Sequence, residues 1–222
     1  MFATIYLPDF YLQAALRHQP GLAAKPVGLL DDQEKKAVII QLNRRAEEVG
    51  VRSGMTPSQG LARSLDLVIK VRSQSQEKLL EEILLHFAGT LSPFVEATAP
   101  GIATVEFTDH RDLGRKVSHV VSQLADSEIN AQAGIAPTAD ASFLAAHLAE
   151  PVLQIDNATE FLSALPIEVL AIDSEGRAEA RPSVTRRRSR DIFREAVSPR
   201  DRLPLFYRLS DKRSPPSAKR AV

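Results

Sequence analysis

The apolar positions of this 222-residue chain repeat with two periods, one of two residues and one of three to four residues. Side chains alternate between the two faces of a strand, whereas they return to the same face of a helix after three or four positions. The first period predicts strands at residues 3–7, 27–30, 37–42, 66–71, 94–98, 102–108 and 129–135. The second predicts helices at residues 10–18, 44–49, 57–65, 76–91, 111–124, 140–150 and 159–165.

Two of the predicted helices have a strongly one-sided apolar pattern. In residues 76–91 the predicted buried face consists of Leu79, Leu80, Ile83, Leu84 and Phe87. In residues 111–124 it consists of Leu113, Val117, Val120, Val121 and Leu124. Asp9 precedes the first helix and Thr56 precedes Pro57, so both are predicted N-caps.

The order of these elements predicts the fold class. A strand and a helix are followed by a small inserted α/β unit and then by helix, strand, strand, helix, strand and helix. This order favours an α/β (α+β) fold with a ferredoxin-like sheet that carries an insertion. Beyond residue 173 the apolar periodicity largely disappears, which predicts a disordered tail over residues 173–222.

Charge is divided unevenly along the chain although the formal net charge is zero. Residues 174–222 contain 14 Lys and Arg against 6 Asp and Glu, a net charge of +8, while residues 1–173 contain 14 against 22, a net charge of −8. A basic cluster in the tail could contact nucleic acid by displacing counterions from phosphates; it consists of Arg186, Arg187, Arg188 and Arg190. The alternative is a solvated tail without a partner, which is common for runs of charge.

Composition excludes several classes of protein. The chain has no cysteine, so disulfides, thiolate zinc sites and cysteine nucleophiles are excluded. No apolar run approaches the roughly 20 residues of a membrane span, and the N-terminus lacks a secretion signal, so we expect a cytoplasmic protein. The five histidines form no metal-binding pair, and we expect surface or half-buried positions for all of them: His18, His86, His110, His119 and His147.

Three segments match one family of proteins in both order and spacing. Residues 37–55 read AVIIQLNRRAEEVGVRSGM, residues 95–109 read VEATAPGIATVEFTD, and residues 134–151 read GIAPTADASFLAAHLAEP. They resemble the fingers segment ANYEARKFGVKAGMP, the palm hairpin VEVYSIDEAYLDITD and the motif GISxNKxLAKxASxxxKP of Y-family (UmuC/DinB-like) translesion DNA polymerases. The resemblance implies a palm-like domain at 1–25 and 76–172, and a fingers-like insertion at 26–75.

The resemblance also shows which functional residues of the family are replaced. Active members use three carboxylates to hold two magnesium ions. The ions activate the primer hydroxyl and neutralise the charge of the triphosphate. The positions aligned with these ligands are Leu7, Gly101 and Ile102. We therefore expect a chain without polymerase activity, with no cofactor.

The family's phosphate-binding and sugar-selecting residues are replaced too. Arg44 aligns with a tyrosine and Glu47 with an arginine that grip the triphosphate, and Ala139 aligns with a phosphate-binding lysine. A glutamate repels phosphate electrostatically. The aromatic steric gate aligns with Leu12.

The joint replacement of the metal ligands, the phosphate-binding residues and the steric gate is similar to that in the noncatalytic ImuB-type member of the bacterial mutagenesis cassette. That member acts in DNA repair and the SOS response to DNA damage. The resemblance implies an adaptor that binds an error-prone polymerase subunit, a RecA-like accessory protein and the sliding clamp, with nucleoid association when engaged. No pattern typical of the family's thumb and little finger follows residue 173, so we expect a chain that is truncated after the palm or one in which the tail replaces these domains.

A short segment of the tail resembles the bacterial clamp-binding peptide QLxLF. It consists of Arg202, Leu203, Pro204, Leu205 and Phe206, with arginine in place of the leading glutamine. Such peptides bind through apolar anchors in a groove, and short apolar motifs also arise by chance.

Two alternatives remain open. The first is an active error-prone polymerase whose magnesium ligands are relocated to nearby acids, the candidates being Asp9, Glu96, Glu106 and Asp109. Acids of this kind are more often structural, with Asp9 as a helix cap and Glu96 and Glu106 on a solvated sheet face. The second alternative is an inactive remnant of a longer gene.

Overall fold

The computed structural model describes residues 1–31, 37–109 and 111–165. Within them the chain forms two β-sheets flanked by helices, which confirms the predicted mixed α/β class. None of the helices in these ranges is long and apolar enough to cross a membrane.

The larger sheet has five strands in the order β5-β6-β1-β7-β8. Their bounds are β1 Phe2–Tyr6, β5 Val95–Ala99, β6 Ile102–Glu106, β7 Gln132–Ala136 and β8 Val152–Gln154. β1 pairs antiparallel with both β6 and β7, β5 pairs antiparallel with β6, and β8 pairs parallel with β7. Strands β5, β6, β1 and β7 have the arrangement expected for a ferredoxin-like sheet. Strand β8 extends this sheet beyond β7.

One face of this sheet carries the main core. Helices α4 (Gln74–Leu91) and α5 (Leu113–Asp126) bury their apolar faces there, together with part of α1 (Phe10–Leu16). The predicted face of α5 is buried at all five positions, from Leu113 to Leu124. Side chains of β1 alternate as a strand requires, with Ala3 and Ile5 in this core.

The opposite face of the sheet is covered by α6 (Ala139–Leu148). The backbone of α6 at Ser142 and Ala146 lies so close to Gly134 in β7 that a Cβ at this position would clash with it. The Thr4 and Ser142 hydroxyls are hydrogen-bonded at 2.8 Å across this contact. The small residues of the third family-like segment are therefore explained by close helix–sheet packing.

The second sheet has three strands in the order β3-β2-β4. They are β2 Val27–Leu30, β3 Ile39–Leu42 and β4 Val68–Val71, and two short helices accompany them, α2 Arg44–Glu48 and α3 Pro57–Arg63. Thr56 forms the predicted cap of α3 in a full capping box with Gln59. This unit lies within the predicted insertion, residues 26–75.

Several local predictions were wrong in detail. Strand β7 begins at Gln132 instead of 129, because the Ile129 amide donates to the Leu124 carbonyl and closes α5. Asp9 precedes α1 in the left-handed region (φ 49°) and makes no capping hydrogen bond. Leu79 is exposed, whereas Glu77 on the same helix is buried. Strand β8, a short 3-10 helix at Pro20–Leu22 and the exact bounds of α7 (Ala158–Ala164) were not predicted.

Candidate functional site

The three positions aligned with the family's magnesium ligands lie together in space. Gly101 lies in the turn between β5 and β6, Ile102 begins β6, and Leu7 follows β1. Tyr6 faces Ile102 across the antiparallel pair, and the Leu7 amide donates a hydrogen bond to the Gly101 carbonyl at 2.9 Å. The two segments therefore meet at one edge of the sheet, as the resemblance implies.

This edge is closed by apolar packing. Leu7 is 0% exposed within the main core, and Ile102 is 2% exposed against Tyr6 and Ala146. Neither residue offers a side-chain oxygen, so these positions do not fit a magnesium ion, which requires oxygen ligands.

Gly101 has no room for a side chain. Its backbone lies in the left-handed region at φ 74°, which glycine adopts without penalty. A Cβ built on Gly101 would lie 2.7 Å from the Cβ and Cγ atoms of Phe10. An aspartate at this position would therefore need both a strained backbone and a displaced phenylalanine.

An aromatic cluster lies beside Ile102, and the sequence patterns gave no sign of it. The rings of Tyr6 and His147 stack with centroids 4.1 Å apart, and Phe143 contacts His147 at 4.5 Å. Burial, with a smaller contribution from the negative charge of Asp9, raises the pKa of Tyr6 to about 12. Burial lowers the pKa of His147, although its hydrogen bond to the Phe143 carbonyl acts in the opposite direction.

The positions aligned with the phosphate-binding residues are separate from this cluster. The Arg44 side chain is 90% exposed and pairs with Glu48 at 3.1 Å, while Glu47 is exposed on the same short helix. Ala139 is the first residue of α6 and is half-buried. Leu12, at the gate position, is buried between α1 and the second sheet.

The acids considered for a relocated metal site do not gather. Glu96 and Glu106 are exposed, as expected for a solvated sheet face. Asp109 is exposed too, and its carboxylate accepts a hydrogen bond from the Arg111 amide. Asp9 is also exposed and acts electrostatically on Tyr6. Among the described residues, no three acids or histidines are grouped so that they could hold a metal ion.

A partly buried ion network joins the second sheet to helices α1 and α4, and it was also not predicted. Arg72, which follows β4, donates two hydrogen bonds to Glu77 of α4 at 2.9 and 2.8 Å. The same guanidinium lies 3.9 Å from an Asp31 oxygen and 3.8 Å from the centre of the Tyr11 ring. The pKa of Arg72 is raised, mainly by its hydrogen bond to Glu77.

Two predicted tail sites, Arg186–Arg190 and Arg202–Phe206, lie outside the described residues, as does His110. Of the other histidines, His18, His86 and His119 are exposed and His147 is half-buried, as predicted.

A family model and curated relatives both match this chain to one family of proteins. The model of the impB/mucB/samB family matches residues 5–147, more than half of the chain. The DNA polymerase IV of Pseudomonas fluorescens (strain Pf0-1) is 26% identical over 171 residues, covering 72% of this chain and 48% of the relative. That of Shewanella pealeana is 26% identical over 168 residues, with 71% and 47% covered. The chain thus spans about half the length of the curated relatives it matches.

Solved structures show the same fold. A post-insertion binary complex of Dbh DNA polymerase superposes with a TM-score of 0.67 at 16% identity, covering 76% of this chain and 52% of that one. DinB from Sulfolobus solfataricus gives a TM-score of 0.64 at 15% identity, covering 76% and 52%. At this level of identity, the likeness is one of fold alone.

Proposed function

The chain belongs to the impB/mucB/samB family of Y-family polymerase-like proteins, and from that premise we propose that it is a noncatalytic member that acts as an adaptor in DNA damage tolerance. Its palm-like and fingers-like units serve as a binding body, and nucleotide transfer is carried out by another protein.

One observation carries this proposal: apolar closure at Leu7, Gly101 and Ile102. The three residues meet at one edge of the sheet, two of them are almost fully buried, and the third cannot accept a Cβ without displacing Phe10. A two-metal mechanism requires carboxylates that hold both ions against the primer end and the triphosphate. Aliphatic side chains cannot do this.

The phosphate-binding side of the family's site supports the same conclusion. Glu47 presents a negative charge on exposed surface, and Ala139 has no charge at all. Arg44 is the single cation among the three aligned positions, and it is already paired with Glu48. A triphosphate at this surface would therefore find repulsion where the family provides attraction.

The second candidate function is an active DNA polymerase with relocated metal ligands. It is favoured by the names of the relatives, which are DNA polymerases IV. Asp9 is the acid nearest the closed edge in sequence, next to Pro8 and Leu7, so an active protein would depend on it.

Primer extension distinguishes the two candidates. Purified full-length protein is incubated with a primed template and all four nucleotides, with magnesium and separately with manganese. We expect no extension above a no-protein control. Extension that survives repurification and is lost in Asp9→Asn, but retained in the matched exposed variant Asp66→Asn, would overturn the proposal in favour of the relocated site.

We also propose that the adaptor's partners are the mutasome proteins, an error-prone polymerase subunit and a RecA-like accessory protein, with the sliding clamp bound through the segment 202–206. A peptide spanning residues 198–211 is titrated against the clamp. Alanine at Leu205 and Phe206 should weaken binding about thirtyfold or more, because buried apolar anchors dominate small interfaces. No binding at high micromolar peptide would remove the clamp from the list of partners.

A further inference from the structure

Part of the five-stranded sheet is left open to solvent on the face where α6 packs. Helix α6 lies over β1, β7 and β8, and it contacts the β5–β6 hairpin near its turn, at Ile102 and Ala99. On the rest of this hairpin four residues of the same face are exposed, namely Phe94, Glu96, Thr98 and Glu106. We call these four residues the open face.

Strand pairing fixes the direction of these side chains. Val95 and Val105, which alternate with them along the two strands, belong to the main core on the opposite face of the sheet. The Thr98 hydroxyl donates to the Thr104 hydroxyl at 2.7 Å, and Thr104 pairs with Glu96 across the hairpin. The open face is therefore a continuous surface on regular strands.

The open face offers two carboxylates and an aromatic ring. Neither Glu96 nor Glu106 uses its carboxylate in a hydrogen bond or ion pair with the described residues. Glu96 pairs with Thr104, two residues before Glu106, so the two carboxylates are diagonal neighbours about 7–8 Å apart. Phe94 is 45% exposed, and its carbonyl accepts from the Glu106 amide at 3.0 Å. This combination suits arginine, which pairs with carboxylates and stacks on aromatic rings.

The tail of the same chain carries the complementary charge. Residues 174–222 have a net charge of +8 and residues 1–173 a net charge of −8. Within the tail, Arg186, Arg188 and Arg190 recur every two residues. Side chains two residues apart on an extended peptide lie on one side, about 6.5 Å from each other. This interval is close to the separation of the two carboxylates, so the segment 186–190 can present one arginine to each of them and a third to Phe94.

The chain is long enough to bring this segment to the open face. The described residues end at 165, after α7, which follows β8 at one edge of the sheet. Strand β5 forms the other edge, four strand spacings or about 20 Å away. Residues 166–185 intervene, and they can span up to about 65 Å. A tether of this length favours contact within one chain over contact between chains.

We propose that the open face binds the arginine segment 186–190 of the same chain. Glu96 and Glu106 pair with two of its guanidinium groups, and Phe94 stacks against a third. The same arginines cannot pair with the open face and with nucleic-acid phosphates at once, so residues 1–165 compete with DNA for the tail. Contact between the tail and nucleic acid is thereby restrained by the folded part of the protein.

A spin label on the tail tests this contact in the full-length protein. The chain has no cysteine, so Ser189→Cys provides a single attachment point for a nitroxide. At low salt we expect the amide signals of the open face to broaden severalfold more than those of Glu82 and Asp126, which are exposed on α4 and α5. High salt or an excess of duplex DNA should abolish the difference. A mixture of spin-labelled chains and isotope-enriched unlabelled chains should show no such broadening.

Matched variants connect the contact to DNA binding. The double variant Glu96→Gln with Glu106→Gln should abolish the selective broadening, whereas Glu82→Gln with Asp126→Asn removes two charges from the opposite face and should leave it unchanged. Duplex DNA binding at low salt, followed by fluorescence anisotropy, should strengthen about threefold to tenfold in the first variant, as expected for the release of two exposed ion pairs. The second should change it less than about twofold, because its charges lie away from the contact.

Four results would overturn the proposal. They are the absence of selective broadening at low salt, broadening that persists in Glu96→Gln with Glu106→Gln, equal broadening in the mixture of chains, and equal effects of the two double variants on DNA binding. All four positions are exposed, so the variants should fold, and the amide spectra themselves verify this.

Discussion

Replacing Gly101 by alanine tests the closed edge with a single methyl group. Two costs add at this position. The left-handed backbone (φ 74°) disfavours any residue with a Cβ, a penalty of about 1–2 kcal/mol that is partly offset because alanine restricts the unfolded chain. The new methyl would also lie 2.7 Å from two carbon atoms of Phe10, and overpacking of this kind costs about 1–3 kcal/mol.

Gly50→Ala is the matched control for this experiment. Gly50 has φ 83°, and a Cβ on it would meet nothing within 4 Å. Gly50→Ala should therefore lower the free energy of unfolding by the backbone strain alone, about 1 kcal/mol. Gly101→Ala should lower it by about 2–4 kcal/mol, because the overpacking against Phe10 adds to the strain. The difference between the two variants isolates the contact with Phe10.

Urea unfolding followed by circular dichroism measures both values. The slope of the free energy of unfolding with denaturant should be equal in wild type and variants, so that the midpoints can be compared directly. Equal destabilisation by Gly101→Ala and Gly50→Ala would refute the reasoning, because it would mean that the turn has room for a side chain such as the family's aspartate.

Three further predictions concern the ion network, the aromatic cluster and the tail. Glu77→Gln should lower the free energy of unfolding by about 1–3 kcal/mol, because it leaves the partly buried Arg72 without its charged partner; Arg44→Gln breaks an exposed pair and should cost less than about 0.5 kcal/mol. His147 has a lowered pKa in the folded protein, so as the pH falls the unfolded chain takes up a proton on this residue before the folded protein does. The free energy of unfolding should therefore decrease as the pH drops below about 6.5. Denaturant titrations at several pH values should show a smaller decrease in His147→Gln. Deleting residues 174–222, which carry a net charge of +8, should remove most of the binding to duplex DNA at low salt. Raising the salt concentration should weaken binding by the full chain in the same way. A truncated protein that binds as tightly as the full one would show that residues 1–173 hold the DNA.

The apolar pattern alone was enough to predict most of the helices and strands. Helix α5 illustrates this, since its five predicted positions are all buried and the positions between them are exposed or half-buried. In α4 the same reasoning was wrong at Leu79, which is exposed, while Glu77, outside the predicted face, is buried and accepts a hydrogen bond from Arg72. Arg72 lies five positions earlier in sequence and follows β4 of the second sheet, so periodicity within one helix carries no information about it.

The candidate site was only partly predictable, for a similar reason. The resemblance placed Leu7, Gly101 and Ile102 at aligned positions, and the structure brings them together. The clash that Phe10 would impose on a side chain at Gly101 is a property of packing, which no spacing in the sequence encodes.

The central claim is that the edge formed by Leu7, Gly101 and Ile102 holds no divalent metal, and paramagnetic broadening by manganese tests it most directly. Methyl NMR spectra of the full-length protein are recorded during a manganese titration with a nucleotide triphosphate and primed DNA present. We predict that the methyl signals of Leu7 and Ile102 broaden no more than that of Leu65, which is 91% exposed and senses only free ions. Saturable broadening centred on Leu7 and Ile102 would contradict the account and restore a metal site to this protein.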